Sequence, residues 1–114
     1  MRELFAFALE MDGYFVVAVA TGRALVDQVG RIVHGGEHGG AVDLIISDVR
    51  MPEMDGVKAL QHLRDSQVRV PFLLVTAFSD LWTHTAATRY GAELLGKPVE
   101  LQKLRAIVRE KLSA

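Results

Sequence analysis

Short apolar runs alternate with amphipathic stretches along the whole chain, and this alternation limits the fold more than any other feature. Residues 2 to 12 carry Leu4, Phe5, Ala8, Leu9 and Met11 at roughly helical spacing, and Asp12-Gly13 supplies a stop signal. Tyr14-Phe15-Val16-Val17-Ala18-Val19 is rich in β-branched and aromatic residues and predicts a strand. Arg23 to Val33 repeats Leu25, Val26, Val29, Ile32 and Val33 as the inner stripe of a second helix. Val42 to Ser47 reads as a buried strand, Val57 to Arg64 as a helix with Val57, Leu60 and Leu63 inward, and Phe72 to Val75 as another strand ending at Thr76. Leu81 to Tyr90 predicts a helix carrying Trp82 and Ala86, and Glu93-Leu94-Leu95 a short strand near Lys97-Pro98. Leu101, Leu104, Val108 and Leu112 mark a final helix. The order α β α β α β α β α argues for an α/β fold with a parallel sheet, and right-handed crossovers place helices on both faces. It is unusual in opening with a helix where a doubly wound domain normally opens with a strand.

Bulk properties narrow the function. A chain of 114 residues accommodates one domain, taken here as 1–114. The net charge of -1 gives no electrostatic reason to expect direct nucleic-acid binding. Without cysteine there is no disulfide or thiol chemistry, which suits a reducing compartment. The apolar stretch from Tyr14 to Ala20 is far short of the roughly twenty residues of a membrane span. No signal-peptide pattern is visible. The expectation is a soluble cytoplasmic domain.

Three polar residues end successive apolar runs: Asp48, Thr76 and Lys97. Parallel strands bring all three to the carboxyl edge of the sheet, where ligands bind in open α/β folds. Singly, each has a plain structural reading as a helix cap, a turn residue and a solvated lysine. Together with Met51-Pro52, Met54-Asp55-Gly56 and Thr76-Ala77 they make a constellation.

The segment from Val42 to Gly56, VDLIISDVRMPEMDG, resembles the phosphoacceptor segment of response regulator receiver domains. Val75-Thr76-Ala77 resembles that family's hydroxyl-bearing segment, and Gly91-Ala92 followed by Lys97-Pro98 its lysine segment. The resemblance implies a flavodoxin-like doubly wound sheet of order 2-1-3-4-5. It implies phosphoryl transfer from a histidine kinase or phosphotransfer protein onto Asp48, with Mg²⁺. Thr76 would donate to a phosphoryl oxygen and Lys97 would pair with another, and a cis bond before Pro98 would aim the lysine. These residue types suit the chemistry, because a carboxylate can attack phosphorus and cations must offset the charge as it does.

The chain departs from the family in one large respect. The family's first strand, ending in two acids that hold Mg²⁺, would lie upstream of this chain, since Met1-Arg2-Glu3-Leu4 already falls in the family's first helix. The metal ligands left are Asp48 and the Arg50 carbonyl, which predicts weak Mg²⁺ binding and slow or absent phosphate uptake. Leu94 stands where the family often has an aromatic switch residue. The missing strand would lie between Tyr14–Val19 and Val42–Ser47. Direct pairing of these two, giving a four-stranded sheet, is the expected remedy, with a strand exchanged in a dimer as the rival. Phe5, Phe7, Leu9 and Met11 then do not all find a core, which predicts a homodimer. A phosphorylation-independent dimerisation module is therefore the alternative function, and a free-standing enzyme is disfavoured.

Other residues have ordinary readings. His34, Glu37 and His38 lie in a glycine-rich loop expected to be mobile, and as metal ligands they lack a fourth partner. His62 and His84 are expected at the surface, and Glu53 to point to solvent.

Overall fold

The computed structural model describes residues 2–77 and 80–113. The elements run α1 (Arg2–Met11), α2 (Gly22–Val33), a 3₁₀ turn (Glu37–Gly40), β1 (Ile45–Asp48), α3 (Gly56–Asp65), β2 (Phe72–Thr76), α4 (Leu81–Tyr90), β3 (Glu93–Gly96) and α5 (Leu101–Leu112). The three strands form a parallel sheet in the order β1-β2-β3. Every residue of β2 is buried, as expected of a strand paired on both edges and covered on both faces.

The strand period of two divides the core. Phe72 and Leu74 of β2, with Ile45 of β1, pack against Val29 of α2, Val57, Leu60 and Leu63 of α3, and Ala86 and Ala87 of α4. Leu73 and Val75 face the other way, onto Leu9 of α1, Leu95 of β3, and Leu104 and Val108 of α5. Each large side chain fully removed from water contributes about 1.5–3 kcal/mol. Leu60, Phe72, Leu73, Leu74 and Leu104 are the largest such contributors.

Local chemistry sets the helix ends. Thr21, Asp55 and Asp80 each accept a hydrogen bond from the backbone N–H three residues on, capping α2, α3 and α4. Gly91, at φ 73, ends α4 in the left-handed conformation that favours glycine. Arg105 of α5 reaches back to Asp12, just past α1, with its Nε 2.8 Å from Oδ2 and its Nη2 2.6 Å from Oδ1. These bonds lower the Asp12 pKa and raise that of Arg105. Arg64, in the last turn of α3, donates from Nε to the Tyr90 carbonyl at 2.7 Å and from Nη1 to the Val68 carbonyl at 2.8 Å. Burial draws its pKa below the ordinary arginine value.

Two expectations fail. Tyr14–Val19 is not a strand of the sheet, and the four-stranded remedy does not occur: among the described residues the sheet ends at β1. The segment keeps a strand-like pattern, with Tyr14 and Val16 half-buried and Phe15 and Val17 exposed. Tyr14 and Val16 join the same apolar cluster as Leu44 and Ile46, yet no backbone hydrogen bond connects the two segments. β-propensity describes fit to a pleated neighbour, and among the described residues no strand pairs with this segment. The strand before Asp48 is also shorter than expected, starting at Ile45. The glycine-rich loop contains the 3₁₀ turn, and the His38 ring lies 4.8 Å from that of Phe15. Among the described residues His34, Glu37 and His38 are not gathered into a group of three or more potential metal-ligating side chains. No helix is long and apolar enough to cross a membrane among those residues.

Candidate functional site

The register of the parallel sheet builds the site. Asp48, the last residue of β1, lies opposite Val75, and Thr76, the last of β2, lies opposite Gly96. The Lys97 N–H donates to the Thr76 carbonyl at 2.8 Å, which extends the ladder one residue beyond β3. Asp48, Thr76 and Lys97 therefore meet at one edge. Lys97 Nζ sits 2.8 Å from Asp48 Oδ1 in an ion pair whose side chains are 38% and 46% exposed. The Lys97–Pro98 peptide is cis, as the sequence resemblance implied.

Below the carboxylate, packing is tight. Ser47 is buried, and its hydroxyl donates to the Asp48 carbonyl at 2.8 Å and lies 3.9 Å from Met51 Sδ. The Gly56 N–H donates to the Val49 carbonyl at 2.7 Å, folding the loop back under the strand end. A Cβ on Gly56 would stand 2.1 Å from the Asp48 carbonyl oxygen, so only glycine fits. Gly22, the first residue of α2, is similarly pressed, with a Cβ there 1.8 Å from the Met54 carbonyl oxygen. Sequence reading took Asp-Gly at 55–56 as a turn signal. It did not anticipate that Gly56 and Gly22 clamp the loop from two sides, because both clashes are with backbone distant in sequence.

An open cleft lies beside the ion pair. Arg50, Met51 and Pro52 form one wall, and Thr76, Asp80 and Trp82 are among the residues opposite. Asp80 has its pKa lowered chiefly by the backbone N–H of Thr83, then by the Thr83 hydroxyl. Trp82 and Leu81 are exposed, as are His62 and His84. Glu53 is exposed as expected and takes a left-handed φ of 64.

The acids near this edge are Asp48 and, lining the adjoining cleft, Asp55 and Asp80. Asp48 is the carboxylate at the sheet edge, and Lys97 already occupies one of its oxygens. Glu53 does not line the cleft, and no cluster of three acids or histidines exists among the described residues. Mg²⁺ binds through one or two carboxylates plus water and phosphate. Of these three acids Asp48 is ion-paired with Lys97, while Asp55 and Asp80 cap α3 and α4, so each already has a partner.

A buried parallel sheet with helices on both faces, ending in an aspartate, a hydroxyl residue and a lysine before a cis proline, defines a doubly wound α/β domain with a charged site at the carboxyl edge of its sheet. The chain belongs to the response regulator receiver domain family, whose description it matches over residues 1–109. It is 33% identical over 102 residues to the transcriptional regulatory protein ZraR of Escherichia coli K12, a match covering 89% of this chain and 21% of that protein. This chain thus spans about a fifth of that relative's length. Among solved structures it resembles the receiver domain of a signal transduction histidine kinase from Syntrophus aciditrophicus, at 32% identity and a TM-score of 0.79 over 97% of this chain and 80% of that one. It also resembles the receiver domain of a sensor histidine kinase from Pseudomonas aeruginosa PAO1, at 26% identity and a TM-score of 0.76 over 98% and 85% of the two chains. That structure has a magnesium ion coordinated in its active-site cleft. The chain is a flavodoxin-like receiver domain of phosphorelay signalling.

Proposed function

We propose that Asp48 is the phosphoacceptor of this receiver, and that a histidine kinase or phosphotransfer protein supplies the phosphoryl group. The observation that supports this reading is the Asp48–Lys97 pair at 2.8 Å, placed at the sheet edge beside Thr76. A carboxylate oxygen of Asp48 forms the new O–P bond as the donor's N–P bond breaks, and the electron pair of that bond leaves with the donor imidazole. Lys97 shifts from the carboxylate to a phosphoryl oxygen, offsetting the charge that accumulates there. The Thr76 hydroxyl donates to a second oxygen. No step is assigned to a metal, since the acids near this edge already have partners, and transfer is slow.

The test is incubation with a small phosphodonor, with and without Mg²⁺, followed by intact mass and peptide mapping. Slow addition of one phosphoryl group to the segment containing Asp48, little changed by Mg²⁺, is expected. Label elsewhere, or none after prolonged incubation with donor or kinase, would remove the phosphoacceptor reading. Strong acceleration by millimolar Mg²⁺ would show that the surviving residues hold the metal well.

A second property concerns assembly. Leu4, Phe7 and Met11 are exposed at 55%, 62% and 72%, a stripe along α1 spaced i, i+3, i+7. Such a stripe fits a two-fold pairing of α1 with its copy. Light scattering at rising concentration is expected to approach twice the chain mass, and a constant monomer mass would contradict it.

A further inference from the structure

The geometry points to Met51 as a reversible oxidation site, whose thioether takes one oxygen from a peroxide and passes the change to Asp48. The consequence for phosphoryl uptake rests on Asp48 being the acceptor. Access comes first. Met51 is half-buried and lines the open cleft beside the Asp48–Lys97 pair, so a small peroxide reaches its sulfur from solvent. Met54 is equally half-buried but does not line that cleft. A shared proton comes second. The Ser47 hydroxyl has one proton to give. It goes to the Asp48 carbonyl at 2.8 Å, while Met51 Sδ, a weak acceptor, lies 3.9 Å away. Confinement comes third. One carbon added at Gly56 would stand 2.8 Å from Ser47 Oγ, and one added at Gly22 would stand 1.8 Å from the Met54 carbonyl oxygen. The loop from Met51 to Met54 therefore has no room to back away from a larger group on Met51.

A sulfur lone pair attacks one oxygen of hydrogen peroxide, and the S–O bond forms as the O–O bond breaks. The proton on the transferred oxygen passes to the departing hydroxide, which leaves as water. The thioether is oxidised by two electrons and the peroxide reduced by two. The product is a polar sulfoxide, a strong acceptor where the sulfur was a weak one. Its oxygen draws the Ser47 proton away from the Asp48 carbonyl. Because the loop is held at Gly22 and Gly56, the displacement is taken up at the end of β1. The Asp48 carboxylate loses its alignment with Lys97, and phosphoryl uptake slows. A sulfoxide reductase fed by a dithiol removes the oxygen as water, forms a disulfide and restores the contact.

The experiment treats the ¹⁵N-labelled chain with dilute hydrogen peroxide. Peptide mapping assigns each added oxygen, while the Asp48 and Val49 amide resonances and phosphodonor uptake are followed together. Met11, 72% exposed, should oxidise first, then Met51, then Met54. The Asp48 and Val49 resonances should shift in step with Met51 and not with Met11. Uptake should fall about fivefold, the rate equivalent of one neutral hydrogen bond. Sulfoxide reductase with dithiothreitol should reverse both changes. Met51→Leu keeps the bulk without an oxidisable sulfur and should lose the peroxide response whatever its starting rate. Oxidation of Met54 ahead of Met51 would overturn the proposal. So would resonances that stay put as Met51 oxidises, unchanged uptake by an oxidised chain that was labelled beforehand, or a response retained by Met51→Leu. A chain that takes up no phosphate even before peroxide defeats the phosphoacceptor reading instead, and the resonance shift then decides whether Met51 is coupled to Asp48.

Discussion

Asp48→Asn is expected to abolish phosphoryl uptake while leaving the fold nearly as stable as before. The amide has the shape of the carboxylate but lacks its nucleophilicity toward phosphorus, so the reaction loses its attacking atom. Stability should survive because the Asp48–Lys97 pair is 46% and 38% exposed on its two sides. Ion pairs so open to solvent contribute about 0–1 kcal/mol. Asparagine at the end of β1 also leaves the backbone register with β2 untouched. The measurement pairs intact mass after phosphodonor treatment with a urea denaturation midpoint. Retained labelling at an unchanged rate would place the acceptor elsewhere. A collapse of stability would instead mean that the ion pair holds the edge together, against the exposure argument.

Gly56→Ala is expected to lower stability by about 1–3 kcal/mol or more, as for overpacked interiors. The added methyl would lie 2.1 Å from the Asp48 carbonyl oxygen, 2.8 Å from Ser47 Oγ and 3.0 Å from the Asp48 carbonyl carbon. Two of these three atoms are backbone, which cannot rotate aside as a flexible side chain does. Relief requires moving the end of β1 or the start of α3, so the variant should also slow phosphoryl uptake. Gly30→Ala is the control, since a Cβ there meets nothing within 4 Å and the residue lies inside α2. Alanine at such a helical position stabilises by up to about 1 kcal/mol. Opposite signs for the two substitutions in urea unfolding are the expected result. A neutral Gly56→Ala would mean that the loop beneath Asp48 is looser than its packing indicates.

Most of the helices were legible in the sequence, because their signals are local. α4 spans Leu81–Tyr90 as predicted, and α1 ends at Met11 before the Asp12-Gly13 stop. The meeting of Asp48, Thr76 and Lys97 was legible too, since each closes an apolar run and parallel strands align such ends. The fate of Tyr14–Val19 was not. Its composition announces a strand, but pairing depends on a neighbour, and no local pattern reveals that the next segment stays unpaired. Arg64 was equally hidden. Its acceptors are carbonyls 4 and 26 residues away, and every residue type carries a carbonyl.

That arginine gives α4 a mechanical character. Tyr90 is the final residue of the helix, and Arg64 fastens its carbonyl to the closing turn of α3. One guanidinium thereby serves the negative poles of two helices at once. The opposite end of α4 begins at Leu81 and Trp82, both exposed, next to the cleft that Thr76 lines. That end is held by the Asp80 cap and by Thr83, which is buried, while Leu81 and Trp82 face solvent. Trp82, exposed and lining the same cleft as Thr76, is thus a built-in optical reporter of changes at the sheet edge.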